Sequence, residues 1–154
     1  MPKIDIDAIQ SSNATGYPSP FDQEVKGRFW RRLAPAGKLT QMGASHVVLE
    51  PGAWSSQRHW HEGEDEIVVM LSGEAVLIED GSETILRAGD VAAFPAGVPN
   101  GHHLQNRSET TCVFIAIGAG DGSKGGTYSD IDMTFSEGGY FYKDGTPYPT
   151  TAFT

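Results

Sequence analysis

The chain has 154 residues, 38% hydrophobic and 20% charged, with a formal net charge of −9. That length fits one compact core, and that composition is too apolar for wholesale disorder. The negative balance repels phosphate backbones and anionic membranes, so neither nucleic acid nor a membrane is expected as a partner.

Nineteen glycines and nine prolines predict many turns and short strands in place of long helices. The first residues, Met1-Pro2-Lys3-Ile4-Asp5-Ile6-Asp7, contain no basic segment leading into an apolar stretch. No secretory leader is therefore expected, and a cytoplasmic location is the default. The longest apolar runs are strand-length, too short to cross a bilayer as helices.

Residues 1–43 read as an N-terminal arm. Tyr17-Pro18-Ser19-Pro20-Phe21 cannot be a regular helix, because proline removes donors and restricts its neighbours. Phe29 and Trp30 then give the arm an apolar face to set against the body or a partner subunit.

Residues 44–118 read as a β-barrel core. Candidate strands are 45–50, 54–61, 66–71, 75–79, 84–87, 91–94, 102–106 and 111–117, punctuated by Gly52, Gly73, Gly81, Gly89 and Gly97. Short strands at regular spacing with glycine turns predict a sandwich or barrel, and no stretch carries a helical apolar period. The single cysteine, Cys112, lies in an apolar run, which rules out an internal disulfide and reads as a buried core residue. Residues 119–154 read as a Gly-rich extension packing on the barrel. Within it, residues 120–125 fit the letters G-x-G-x-x-G, but Thr127-Tyr128-Ser129-Asp130 offers no helix to face a phosphate, so a surface loop is expected.

The segment with chemical content is Gln57-Arg58-His59-Trp60-His61-Glu62-Gly63-Glu64-Asp65-Glu66. On a strand Gln57, His59 and His61 share one face, so two imidazoles reach a common point. Glu66 shares its face with Val68 and Met70, so an ionised carboxylate would enter an apolar interior. That burial is costly unless a cation pairs with it, and a metal is the simplest one. Of the adjacent pair His102 and His103, only one can point inward.

These residues resemble the motifs of the cupin superfamily. His59-x-His61-x4-Glu66-x6-Gly73 matches the first motif, and Gly89-x5-Pro95-x-Gly97 matches the start of the second. Gly52 is one residue further from His59 than the pattern asks. Asn100 stands where the second motif has its histidine, while His102-x3-Asn106 keeps the closing spacing two residues later. The resemblance implies an all-β double-stranded β-helix, a jelly-roll barrel, in which His59, His61, Glu66 and His102 hold one divalent metal ion. His103 is the alternative fourth ligand. Three imidazoles and a carboxylate suit iron, manganese, nickel or zinc.

The same family includes dioxygenases, decarboxylases, lyases and isomerases, so the resemblance implies a metal-dependent enzyme acting on a small polar metabolite. The alternative is a non-catalytic module that binds a sugar or carboxylate. Gln57, Met70 and Phe94 are candidate substrate contacts; Arg58 and Arg87 could meet a carboxylate ligand, but they read better as solvated surface arginines. Trp54 and Trp60 are expected on the opposite face from His59. Cupins of this size often form homodimers, which the aromatic arm would suit.

Overall fold

A computed structural model describes residues 2–149. Its strands are Arg28–Arg32 (β1), Gly43–Leu49 (β2), His59–His61 (β3), Glu64–Ser72 (β4), Glu74–Glu79 (β5) and Ser82–Arg87 (β6). Val91–Phe94 (β7), His103–Gln105 (β8), Cys112–Gly120 (β9), Gly126–Tyr128 (β10), Thr134–Ser136 (β11) and Gly139–Phe141 (β12) follow. A five-stranded sheet in the order β1-β2-β9-β4-β7 faces a three-stranded sheet, β6-β5-β8, and every pairing is antiparallel. A third sheet, β12-β11-β10-β3, stands beside them. The result is the expected jelly-roll barrel.

Alternation of side chains builds the core. Val47 and Leu49 of β2, Val68 and Met70 of β4 and Phe114 of β9 point inward from the large sheet. They meet Ala75, Leu77, Leu86 and Leu104 of the small one. Full burial of one such side chain stabilises the fold by roughly 1.5–3 kcal/mol.

The flanking segments are more regular than the sequence suggests. β1 pairs with β2 along its whole length, from Arg28↔Leu49 to Arg32↔Ser45, so the arm supplies the edge of the main sheet. The extension begins as the end of β9 and continues into the hairpins of β10 to β12. Gly122–Lys124 form a single 3-10 turn, so the glycine-rich letters at 120–125 do fall on a turn and not on a helix. Arm and extension then pack on each other in a second cluster: Tyr17 and Val25 against Tyr128 and Met133, flanked by Phe21, Phe135 and Tyr140.

Residues 54–61 do not form one strand. Trp54 makes an isolated bridge to Gln105, and regular pairing starts only at His59. Between them the ladder is only partial: Ser55 N donates to Leu104 O at 2.8 Å, but Ser55 Oγ accepts from Leu104 N at 2.9 Å and Gln57 N donates to Tyr17 Oη at 3.2 Å.

Candidate metal centre

Three strand contacts hold the four candidate ligands. His59 and His61 stand two apart on β3, whose other edge is β10 in the register Tyr128↔His59 and Gly126↔His61. A Cβ on Gly126 would lie 2.1 Å from Trp60 O and 2.6 Å from the Phe135 ring, so only glycine lets β10 approach β3 this closely. Gly63 makes the turn into β4; a Cβ there would lie 2.3 Å from Asp121 O. Glu66 sits on β4 opposite Phe94 of β7. His102, just before β8, forms a bridge with His59 through reciprocal backbone hydrogen bonds of 2.9 and 3.2 Å.

These pairings bring ligand atoms of His59, His61 and Glu66 within 4.8 Å of one another. His102 joins them through Nε2, which lies 2.7 Å from Glu66 Oε1. The His59 and His61 Nε2 atoms are 3.2 Å apart, and His61 Nε2 is 3.6 Å from Glu66 Oε2. His59 Nδ1 lies 2.9 Å from Gln57 O, which makes it the donor and leaves Nε2 a lone pair aimed at His61. His61 Nδ1 lies 3.3 Å from the Glu64 carboxylate.

Were a neutral His61 also protonated on Nδ1, two lone pairs would face each other beside a carboxylate. Either a proton on His61 or a shared cation removes that repulsion, and the donor set fits a divalent ion. The charges point the same way. Burial pushes the His59 pKa down to about 4, so its ring stays neutral and available as a ligand. His61 is lowered by burial, but its bonds to Glu66 outweigh this and raise it. Burial would raise Glu66; hydrogen bonds from His102 and His61 hold it well below the ordinary carboxylate range. The site is therefore an anionic socket lined by imidazoles.

The neighbouring side chains divide clearly. Phe94 stacks flat on His102, with centroids 3.5 Å apart and planes at 3°. His103 points elsewhere: Nδ1 donates to Ser56 O at 2.8 Å and Nε2 meets Gln105 at 3.0 Å, so it is His102 that reaches Glu66. Gln57 departs from the expected face. Its amide donates to Phe21 O at 3.0 Å and to Glu24 at 3.2 Å, because the irregular segment before β3 breaks the alternation. Met70 is fully buried opposite Phe114, two positions beyond Val68, and belongs to the packed core. Arg58 is bound by Asp80 and Asp130, and Arg87 pairs with Glu74 at the surface. Trp54 meets the edge of His103, and Trp60 pairs opposite Thr127.

A cavity of about 420 Å³ opens beside the group. His59, Glu66 and His102 form part of its wall, and Val68, Leu77 and Phe114 form an apolar part. Phe94 also lines it; Gln57 and Met70 do not. Another part of its wall comes from outside the motif-bearing region: residues 14–17, Arg28, Trp30 and Tyr140. Sequence reasoning did not place residues 14–17, Arg28 or Trp30 there. The only available signal was that Arg28 and Trp30, two apart on a strand, must share a face.

A family model described as Cupin domain matches residues 45–118. The crystal structure of sugar phosphate isomerase from a cupin superfamily, from Silicibacter pomeroyi, superposes with a TM-score of 0.90 at 40% identity, covering 96% of this chain and 97% of that one. The putative sugar phosphate isomerase of Acidithiobacillus ferrooxidans superposes with a TM-score of 0.70 at 27% identity, covering 77% and 78%. A curated relative, the oxalate-binding protein of Thermotoga maritima, is 38% identical over 73 residues, which is 47% of this chain and 58% of that protein.

Proposed function

Because the chain belongs to the cupin superfamily, we propose that it is a metal-dependent enzyme in which His59, His61, Glu66 and His102 hold one divalent ion and a small polar metabolite enters the adjoining cavity. The observation that carries this reading is the convergence of the His59 and His61 Nε2 atoms, 3.2 Å apart, beside the largely buried Glu66 carboxylate. A bound ion of this kind supplies Lewis acidity toward a substrate oxygen.

The chain's own residues prepare the place. Gln57 O fixes the His59 tautomer and Phe94 holds the His102 ring flat. Val68, Leu77 and Phe114 keep one side of the cavity dry. Among the reactions that cupins perform, isomerisation of a small sugar phosphate is the one we favour. The relative that aligns along almost this whole chain carries that name.

A second reading, a binding module without turnover, draws on one observation. Glu66 is the only carboxylate among the described residues of the cavity wall, and both His103 nitrogens are already engaged. A dedicated general base is therefore not evident there.

The deciding experiment is metal content by elemental mass spectrometry on untagged protein purified without added metal, beside His59→Ala and His102→Ala. We expect near-stoichiometric iron, manganese, nickel or zinc, lost in both variants. A wild type that holds none, and takes none up on reconstitution, overturns the reading. Loaded protein incubated with short sugar phosphates, followed by NMR, separates turnover from binding alone.

A further inference from the structure

The cavity contains one cation that the metal site leaves unused. Arg28 is half-buried on the inward face of β1 beside Trp30. Its Nη1 donates to Ser55 O at 2.9 Å and its Nη2 reaches Ala14 O at 3.4 Å, both neutral acceptors. Its Nε is buried with no hydrogen-bond partner. Arg28 takes part in none of the ion pairs formed among the described residues. The one carboxylate in the wall, Glu66, is committed to His102 and His61.

A guanidinium stays charged, and enclosing it among main-chain carbonyls and phenols without a counter-charge is costly. Tyr17 and Tyr140 line the cavity with it. Burial keeps both phenols neutral, with the Tyr17 pKa pushed up to about 12 and that of Tyr140 raised, so neither balances the charge. The guanidinium fork matches a carboxylate or phosphate, and two of its nitrogens are held by a single weak or short bond to the chain while the third has none.

We propose that Arg28 anchors the anionic group, a carboxylate or a phosphate, of the metabolite that this cavity takes. The inference rests on the reading of the cavity as the ligand site, and it narrows the ligand class to small organic anions. Phosphate and carboxylate share the chemistry that Arg28 recognises. The test therefore presents each separately.

The probes are inorganic phosphate and acetate, titrated into metal-loaded protein while the arginine Nε–H resonances are followed by NMR. The Arg28 signal is assigned by its loss in Arg28→Met. We expect it to shift saturably with at least one anion, and the anion that moves it identifies the source. Arg28→Lys, titrated with the same anion by calorimetry, should bind about tenfold more weakly than the wild type, since it keeps the charge and loses the fork. Metal content should be unchanged in Arg28→Lys.

The same titration on His59→Ala separates the two proposals. An Arg28 shift that survives there supports the anchor even where the metal assignment fails. An Arg28 resonance that neither anion moves in the wild type overturns the anchor, as does undiminished binding in Arg28→Lys. Should Arg28→Met fail to fold, assignment from Arg28→Lys and the wild-type titration still decide.

Discussion

The barrel core and the annex that arm and extension build beside it are made of different materials. The core is aliphatic, centred on Leu49, Met70, Leu77, Leu104 and Phe114. The annex is aromatic: Tyr17 meets Tyr128 and Tyr140 with centroids 5.6 Å apart in each pair. The candidate metal group lies at their seam. His102 stacks on Phe94 of the barrel, whereas His59 lies 5.7 Å from the Tyr128 ring and His61 lies 5.3 Å from Phe135. The difference teaches a division of labour. Aliphatic layers hold the strands in register, while phenols offer packing area with a polar end that still takes a hydrogen bond, as Tyr17 Oη does from Gln57 N.

The largest effect should come from Phe114→Ala. It removes a ring with 3% exposure from between the two sheets, and should cost about 3–5 kcal/mol, read as a lower urea midpoint with unchanged slope. Hydrogen exchange should quicken throughout β2, β4 and β9 together. Met133→Ala empties a fully buried position of the annex and should cost roughly 2–5 kcal/mol locally. Here amides of β10 and β11 should exchange faster while β4 and β9 stay protected. Uniform acceleration in both variants would mean that annex and barrel are one cooperative unit, and the division would fail.

The same contrast explains what the sequence made legible. In the barrel, alternation and regular glycine turns both point to strands, and the ligand register of His59, His61 and Glu66 sits on a β-pattern that the fold retains. The annex strands β10, β11 and β12 have three residues each, too few for a period to emerge. The missed β1 lies in a stretch with arginines at both ends of one strand face, Arg28 and Arg32, where apolar alternation is absent. Gln57 failed for another reason: its placement assumed strand geometry through Ser55 and Ser56, where the Ser55 side chain takes the Leu104 N–H in place of a ladder carbonyl. Arg28 has no local signal for its role, since only the folded arm, reaching from Ala14 to Ser55, creates its surroundings.

Alkaline pH probes both regions at once. Burial raises the Cys112 thiol in the core from 9.0 to about 11, and the Tyr17 phenol in the annex from 10.0 to about 12. In each case the folded pKa lies above the unfolded one, so the unfolded chain loses its proton first. The stabilising contribution is complete below the unfolded pKa and is lost as pH rises toward the folded one. That window is pH 9 to 11 for Cys112 and pH 10 to 12 for Tyr17. Each can remove up to about 3 kcal/mol at the top of its window. Urea midpoints measured from pH 8 upward should therefore fall in two stages. Cys112→Ala should remove the first. Tyr17→Phe should shrink the second without abolishing it, because burial raises Tyr128 as well. A midpoint that stays level to pH 11 in the wild type would contradict the burial argument for the thiol.

The smallest effect is expected where neither region is involved. Arg107 pairs with Glu83 at 2.8 Å across the outer edge of the small sheet, with side chains 49% and 56% exposed. Each raises or lowers its partner's pKa in the usual sense, through a hydrogen bond between them. Water already solvates both groups, and ordering two long side chains offsets most of the attraction. Arg107→Ala should leave the urea midpoint within error, and added salt should change wild type and variant alike. A clear loss in low salt that vanishes in high salt would show the pair to be coupled to β5 and β6 beneath it. The three-stranded sheet would then depend on its rim as well as on the aliphatic layer inside.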